Sequence, residues 1–339
     1  MKKYFLISCL GVFMAFTSCS KSSGGGNTTP TPTPTPTPVT PIISLPAGWK
    51  YSASLSLNFP SGMQAFTFDT IFNGRSVKAY CVAFDYTTGR FDFKPVVSST
   101  AKTPSQFAAA ETGLVYVTIN GGFFGGNQSY SLVKYNGTLS APNIKSVTRT
   151  YNGSNASYYP TRAAFGITST GTPTTAWVYS IGATNDNVYS YPVPSPNQEG
   201  AAPQPVPSEN FPSGGSPWNV VSAIGGSPML LTGGELSITD REELININNT
   251  SSRPRSAIGY TSSGKILLLA VEGDNSSGGY PGINLQDLAL MLKSLGSASA
   301  INLDGGGSTS MVVGNRLTVR PGDNGVERPV ISALLIKQR

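Results

Sequence analysis

Four short segments of the chain put carboxylate, guanidinium, amide or glycine at the ends of apolar runs. In Ile119-Asn120-Gly121-Gly122-Phe123-Phe124 an apolar stretch stops at an asparagine. The two glycines there let the backbone approach a ligand or turn sharply. In Arg253-Pro254-Arg255-Ser256-Ala257-Ile258, Arg255 sits at the mouth of an apolar run. A guanidinium in that position can hold phosphate or carboxylate through paired hydrogen bonds. Tyr159-Pro160-Thr161-Arg162 raises the same question for Arg162. Leu269-Ala270-Val271-Glu272-Gly273-Asp274 delivers a carboxylate at its end. The fourth segment, Ile301-Asn302-Leu303-Asp304-Gly305-Gly306-Gly307-Ser308-Thr309, leads with Asp304 into a glycine bend followed by hydroxyls. Successive backbone N–H groups in such a bend can cradle an anion. It is not a nucleotide-type phosphate loop, because no lysine follows the glycines and an apolar strand comes next.

The chain contains no histidine. That removes Ser-His-Asp and Cys-His nucleophile systems and any His-ligated zinc site. Acid–base chemistry falls instead to Asp, Glu, Lys or Tyr, and no cofactor or metal is called for. An oxygen-only Ca²⁺ site needs no histidine, but too few acidic residues cluster to prefer it. The formal charge is +6, with 23 Lys plus Arg against 17 Asp plus Glu. Lys2, Lys3 and Lys21 belong to the N-terminal region, so from Lys50 onward the balance is 20 against 17. No basic run with interleaved aromatics is present, and nucleic acid is set aside as a partner.

The elements that must position these residues are mostly strands. Leu55–Phe59, Ala65–Asp69 and Phe91–Lys94 alternate apolar and polar positions, as half-buried strands do. Leu114–Ile119 and Lys265–Val271 are longer apolar runs that suit central strands buried on both faces. Val77–Phe84 reads as another strand, with Cys81 as a small buried hydrophobe. Helices are few: Thr103-Pro104-Ser105-Gln106 has capping-box form, Thr239-Asp240-Arg241-Glu242 has it again, and Ser216-Pro217 offers a short start. The clearest helix is Leu285–Leu295, apolar on one face and stopped by Gly296. The fold class expected is α+β, a strand-rich single domain with a mixed β-sheet and a few packed helices. Tyr191–Pro217 carries eight prolines and little periodicity, and reads as an insertion over 191–217 that is either a plain surface loop or borders the active site.

The N-terminal residues read as an export signal over 1–18: two lysines, then an apolar stretch from Tyr4 to Phe16 that is too short to span a bilayer. Phe16-Thr17-Ser18-Cys19 resembles a bacterial lipoprotein processing box, with Cys19 as the lipidated residue. Residues 19–45 form a Ser/Gly and Thr-Pro linker, and alternating proline favours a stiff spacer reaching roughly 60 Å. The expected location is the bacterial cell envelope, extracytoplasmic, with membrane contact through the lipid anchor only. The remaining domain spans 46–339.

Asn120-Gly121-Gly122-Phe123-Phe124, Ala223-Ile224-Gly225-Gly226-Ser227-Pro228, Arg255-Ser256-Ala257-Ile258-Gly259 and Asn302-Leu303-Asp304-Gly305-Gly306-Gly307 together resemble the motif series of the phosphodiester glycosidases. The helix from Leu285 and the closing Glu327-Arg328-Pro329-Val330 fit the same order. The resemblance runs from about Ala65 to the C-terminus. Where that family pattern has Asp-Gly-Arg, this chain has Glu272-Gly273-Asp274. The resemblance implies cleavage of a sugar C1–O bond whose leaving group is a phosphodiester, with a carbohydrate phosphodiester of the N-acetylglucosamine-1-phosphodiester type as substrate. Such a leaving group departs easily, so carboxylates plus a phosphate clamp suffice. On that basis Asp304 and Glu272 are the expected catalytic pair. Arg255 and Arg328 are expected on the phosphate, helped by Gly306 and Ser308, with Asn120, Gly121, Gly122 and Phe123 on the sugar. The competing reading is a surface lipoprotein that binds glycans or polyanions without turning them over.

Overall fold

Met63–Phe72 and Arg75–Asp85 pair along their whole length as an antiparallel hairpin. Their two-residue turn, Asn73-Gly74, has positive φ at both positions, the geometry that matches the twist of hairpin strands. In the computed structural model, which describes residues 39–274 and 278–339, this hairpin opens an eight-stranded sheet. Lys265–Val271, Arg255–Thr261, Ser297–Asn302 and Met229–Thr232 follow in that order across it. Lys265–Val271 buries both faces as its composition predicts. Ile266, Leu268 and Ala270 face one core, while Leu267, Leu269 and Val271 face another.

The second core lies under the helix Leu285–Ser294, which starts at an Asn284 cap bonded to the Asp287 N–H and ends before Gly296, at φ +86°. The first core is shared by three sheets. Phe84 and Leu268 come from the eight-stranded sheet, and Phe93, Val117 and Leu334 from a five-stranded one. Phe165, Trp177 and Ile224 come from a seven-stranded sheet built around Arg162–Ile167, Pro173–Ser180 and Ser222–Gly225. Residues 39–339 form one compact unit.

Several sequence expectations are corrected. Every pairing among the described strands is antiparallel, so the sheets are not mixed. Strands hold 44% of the chain and helices 9%, so α+β fits only roughly and the fold is mostly β. Leu55–Phe59 is not a strand: Ser52 caps the short helix Ala53–Ser56, and local capping outweighs the alternation. Ser216–Pro217 is a two-residue strand on Val188–Tyr191, not a helix start. Thr239–Glu242 makes a single turn, because the Thr239 hydroxyl donates to the Glu243 carboxylate instead of capping a helix. The Thr103 capping box is present and starts the helix Pro104–Ala110. Cys81 is buried, which pushes its thiol pKa upward. No helix among the described residues is long and apolar enough to cross a membrane. The export signal, Cys19 and most of the linker lie outside the described residues.

Candidate active site

Three strand ends meet where the five- and eight-stranded sheets approach each other. Val115–Asn120 ends at Asn120, Ser297–Asn302 runs on into Leu303 and Asp304, and Arg255–Thr261 begins at Arg255. Asn120 is fully buried and acts as the clasp. Its Nδ2 donates to the Asp304 backbone carbonyl at 2.8 Å and to the Gly121 carbonyl at 3.1 Å. Its Oδ1 accepts from Ser256 Oγ at 2.6 Å and from the Ser310 N–H at 3.2 Å. Both donors and both acceptor lone pairs of the amide are used within the protein. Asn120 therefore fixes the backbone of the Asp304 loop rather than presenting a free group to a ligand. Gly121 and Gly122 have the same character. A Cβ on Gly121 would run into Ser332, and one on Gly122 into Gly225 and Ser131, so both serve close packing of backbones.

Beyond the clasp opens a cavity of about 430 Å³, lined by Asp274, Asp304, Asp323, Arg253, Arg255, Arg328, the glycines 305–307, Ile247 and Asn248. Four of its charged groups are paired. Arg253 meets Asp274 at 3.2 Å, and Arg328 forks onto Asp323 through two bonds of 2.7 and 2.8 Å. Asp304 and Arg255 remain outside those pairs. Burial pushes the Asp304 carboxyl up to about 6, against the opposing pull of Ser308, the Gly305 N–H and Arg328. Ser308 Oγ itself is buried and meets no strict hydrogen-bond geometry with a described group. Arg255 is buried, and among the described residues its guanidinium donates only to backbone carbonyls, those of Ile283, Ile247, Asn248 and Ser251. Burial lowers its pKa to about 10, with Arg253 pushing the same way and Asp274 opposing. It stays a cation at neutral pH.

The glycine bend is less of an anion cradle than its composition predicts. Gly305 donates to the Asp304 carboxylate, Gly306 to the Pro254 carbonyl, Ser308 to the Gly305 carbonyl and Thr309 to the Gly306 carbonyl. Gly306 holds φ +58° and leaves open space where a Cβ would stand.

The structure brings Asp304, Arg255, Arg328 and Gly306 into one cavity, with Ser308 beside it. Glu272 and Phe123 are not among the residues lining it. Glu272 is buried next to Lys78 Nζ at 3.6 Å, Tyr80 Oη at 3.4 Å and the Arg320 N–H at 3.0 Å. Phe123 is held by its N–H to Ser131 Oγ and its carbonyl to the Tyr130 N–H. Arg162 is buried near Glu243, away from the Asp304 cavity, with its Nη1 3.5 Å from Ser227 Oγ. Sequence reasoning missed Asp323 and Arg253 and passed over Asp274. Asp323 sits in Pro321-Gly322-Asp323-Asn324-Gly325, a turn whose only signal is its place just before Glu327-Arg328.

The profile of the phosphodiester glycosidases matches residues 113–337, a span that contains every residue of this cavity. The chain belongs to the phosphodiester glycosidase family. A bovine N-acetylglucosamine-1-phosphodiester α-N-acetylglucosaminidase is 39% identical over 70 residues, which is 21% of this chain and 13% of that relative. Among solved structures, the catalytic domain of the zebrafish N-acetylglucosamine-1-phosphodiester α-N-acetylglucosaminidase, auto-inhibited by its pro-peptide, superposes with a TM-score of 0.55 at 20% identity. The match covers 86% of this chain and 89% of that one. A hypothetical protein from Synechocystis gives 0.56 at 19% identity, over 83% of this chain and 63% of that one. These two likenesses establish a shared fold. Within it, this member of the phosphodiester glycosidase family has Asp304 and the carbonyl-held Arg255 at the ends of adjacent strands.

Proposed function

We propose that the chain hydrolyses the glycosidic C1–O bond of sugar-1-phosphodiesters of the N-acetylglucosamine-1-phosphodiester type, releasing free sugar and a phosphomonoester. The observation that carries this reading is the opening of Asp304, with its raised pKa, into the same cavity as Arg255 and Arg328. Membership of the phosphodiester glycosidase family points the same way. In this mechanism the phosphate lies against Arg255, and Arg328 turns to it from Asp323. The C1–O bond breaks with its electron pair going to the phosphate oxygen, whose charge the guanidinium holds. Water adds to C1 on the sugar side and gives its proton to the Asp304 carboxylate, which also faces the positive charge developing on the ring. Glu272 then acts through its neighbours Lys78 and Tyr80 rather than at the reacting atoms. The export signal and a lipid on Cys19 would hold this activity at the outside of a bacterial membrane.

The test is an assay of the soluble domain on a panel of sugar-1-phosphodiesters, with Asp304→Asn as the control. Turnover by the wild type, lowered about 10²–10⁴-fold in the variant, is expected. Binding without turnover across the panel would replace this reading with a glycan-binding lipoprotein.

A further inference from the structure

Arg328 stands on a very short bridge of chain. It and Pro329 are the two residues between Glu327 and Val330, where the strand Val330–Gln338 begins. That strand is fixed by its pairing with Val115–Asn120, and the Ser332 carbonyl accepts the Gly121 N–H at 2.9 Å. Glu327 fixes the other end of the bridge. Its Oε1 accepts from the Ser105 N–H at 3.0 Å and from Ser310 Oγ at 2.7 Å. Ser105 lies in the first turn of the helix Pro104–Ala110, where N–H groups have no partner within the helix. Pro104 has no N–H, and Thr103 takes those of Gln106 and Phe107 through its hydroxyl and its carbonyl. Glu327 supplies the acceptor that completes this turn.

Ser310 carries the link onward to Asp304. It is buried, and its backbone is locked to Asn120 in both directions: its N–H donates to Asn120 Oδ1, and its carbonyl accepts the Asn120 N–H, each at 3.2 Å. Asn120 in turn holds the Asp304 carbonyl. A continuous path of hydrogen bonds thus runs from the residue before Arg328 to the backbone of Asp304. Gly307, in the bend after Asp304, leaves the space that the Arg328–Asp323 pair fills. A Cβ there would collide with Arg328 Nη2 and Asp323 Oδ1. The Arg328 guanidinium is therefore laid against the bend, although its side chain is 43% exposed. A long exposed side chain keeps such a place only while its backbone stays put, because free rotamers oppose it.

We propose that Glu327 is a positioning residue of this site: it ties the backbone under Arg328 to the clasp under Asp304, and so sets how the guanidinium stands to the carboxyl. The inference rests on the proposed function, which gives Arg328 a phosphate to hold. Glu327 is not among the residues lining the cavity, so it acts through Arg328. The charged groups that share the cavity with Asp304 are Arg253 and Arg255 at the mouth of one strand, Asp274 beyond the end of its neighbour, and Asp323 and Arg328 on the segment before Val330. Arg328 opposes protonation of Asp304, as Ser308 and the Gly305 N–H do, against the effect of burial. Losing the Glu327 anchor weakens both jobs of Arg328, the grip on phosphate and the pull on the carboxyl.

The experiment compares Glu327→Ala, Glu327→Gln and Ser310→Ala with the wild type on the methyl ester of N-acetylglucosamine-1-phosphate, at temperatures where thermal melts show each protein folded. Glu327→Ala should raise KM, lower kcat/KM about tenfold and move the acid limb of kcat/KM to higher pH, as displacement of a phosphate clamp predicts. Glu327→Gln should restore both to within about twofold, because an amide oxygen accepts the same two bonds. Ser310→Ala cuts the link from its other side and should reproduce the shift; should Glu327→Ala fail to fold, it decides alone. In an Arg328→Ala background, Glu327→Ala should cost nothing further, and a second loss of similar size there overturns the proposal. So does an acid limb that stays in place while stability alone falls. NMR titration of the Asp304 carboxyl needs no turnover. If the wild type cleaves no phosphodiester, the hydrolytic reading fails, whereas a titration displaced upward alike in Glu327→Ala and Arg328→Ala keeps Glu327 in its role; an unmoved titration removes it.

Discussion

Asn120 Nδ2 donates to the backbone carbonyl of Asp304 across 2.8 Å, joining residues 184 positions apart in the chain. The Asp304 N–H returns a bond to the Gly121 carbonyl at 3.1 Å. The Asp304 carboxyl thus stands on backbone that a neighbouring sheet holds from both its donor and its acceptor side. This is a positioning role, and it can be separated from a direct one.

Asn120→Ala should cost about 3 kcal/mol of stability, since it leaves Ser256, Ser310 and the Asp304 carbonyl without their partner in a buried site. In urea titrations the midpoint should fall. At temperatures where the variant is folded, kcat should drop while KM moves little, because the loop is displaced but the phosphate contacts remain. A large rise in KM with unchanged kcat would assign Asn120 to substrate binding instead.

Asp304 links pH to both activity and stability. Its folded pKa of about 6 lies above the ordinary carboxyl value. The native state therefore holds the proton more tightly than the unfolded chain between about pH 4 and 6, and this contribution to stability declines as pH rises through that window. Asp304→Asn should lose the decline and be more stable than the wild type at pH 7, by about 3 kcal/mol. Activity should run the other way in the wild type. A base must be ionised, so kcat/KM should fall as pH drops below about 6; a fall above 6 would make Asp304 an acid.

Glu272→Gln should behave unlike Asp304→Asn. The Glu272 carboxylate touches Lys78, Tyr80 and the Arg320 backbone, not the cavity. Loss of one buried charged partner predicts a stability drop of about 2 kcal/mol, visible in thermal melts, with kcat reduced no more than about tenfold. A loss comparable to that of Asp304→Asn would return Glu272 to the reacting centre.

Asp323→Asn should strengthen binding. The Asp323 carboxylate occupies the fork of Arg328 that a phosphate would take, and the pair is substantially exposed. Releasing it costs at most about 1 kcal/mol of stability. KM for a phosphodiester should fall several-fold, and inorganic phosphate should inhibit the variant more strongly than the wild type. An unchanged KM would mean that Arg328 never leaves Asp323 during turnover.

What the sequence made legible follows from strand periodicity. Lys265–Val271 and Val115–Asn120 are buried as their apolar runs predict, and Arg255 lies at a strand mouth because Pro254 precedes it and five apolar or small residues follow. The family segments also lead to Asp304 and its glycine bend. Less legible was where a side chain turns once pairing ends. Glu272 follows the last residue paired with Arg75–Asp85, and its carboxylate goes to Lys78 on that strand, whereas Asp274, two residues on with φ +49°, reaches the cavity. Asp323 lies in a turn, where contacts depend on tertiary closure and no period marks them. The amide of Asn120 was misleading for a related reason: a strand-end asparagine looks the same whether it faces a ligand or three neighbouring backbones.

The equal numbers of arginines and aspartates around the Asp304 cavity also bear on how a substrate arrives. Three cations and three anions cancel beyond a few ångströms, so an approaching phosphodiester feels little pull until it touches the site. Encounter should then be governed by ordinary diffusion and orientation. Raising the ionic strength should leave the association rate nearly constant while weakening the bound complex. On the proposed lipidation of Cys19, the tether would supply through proximity the capture that long-range attraction does not.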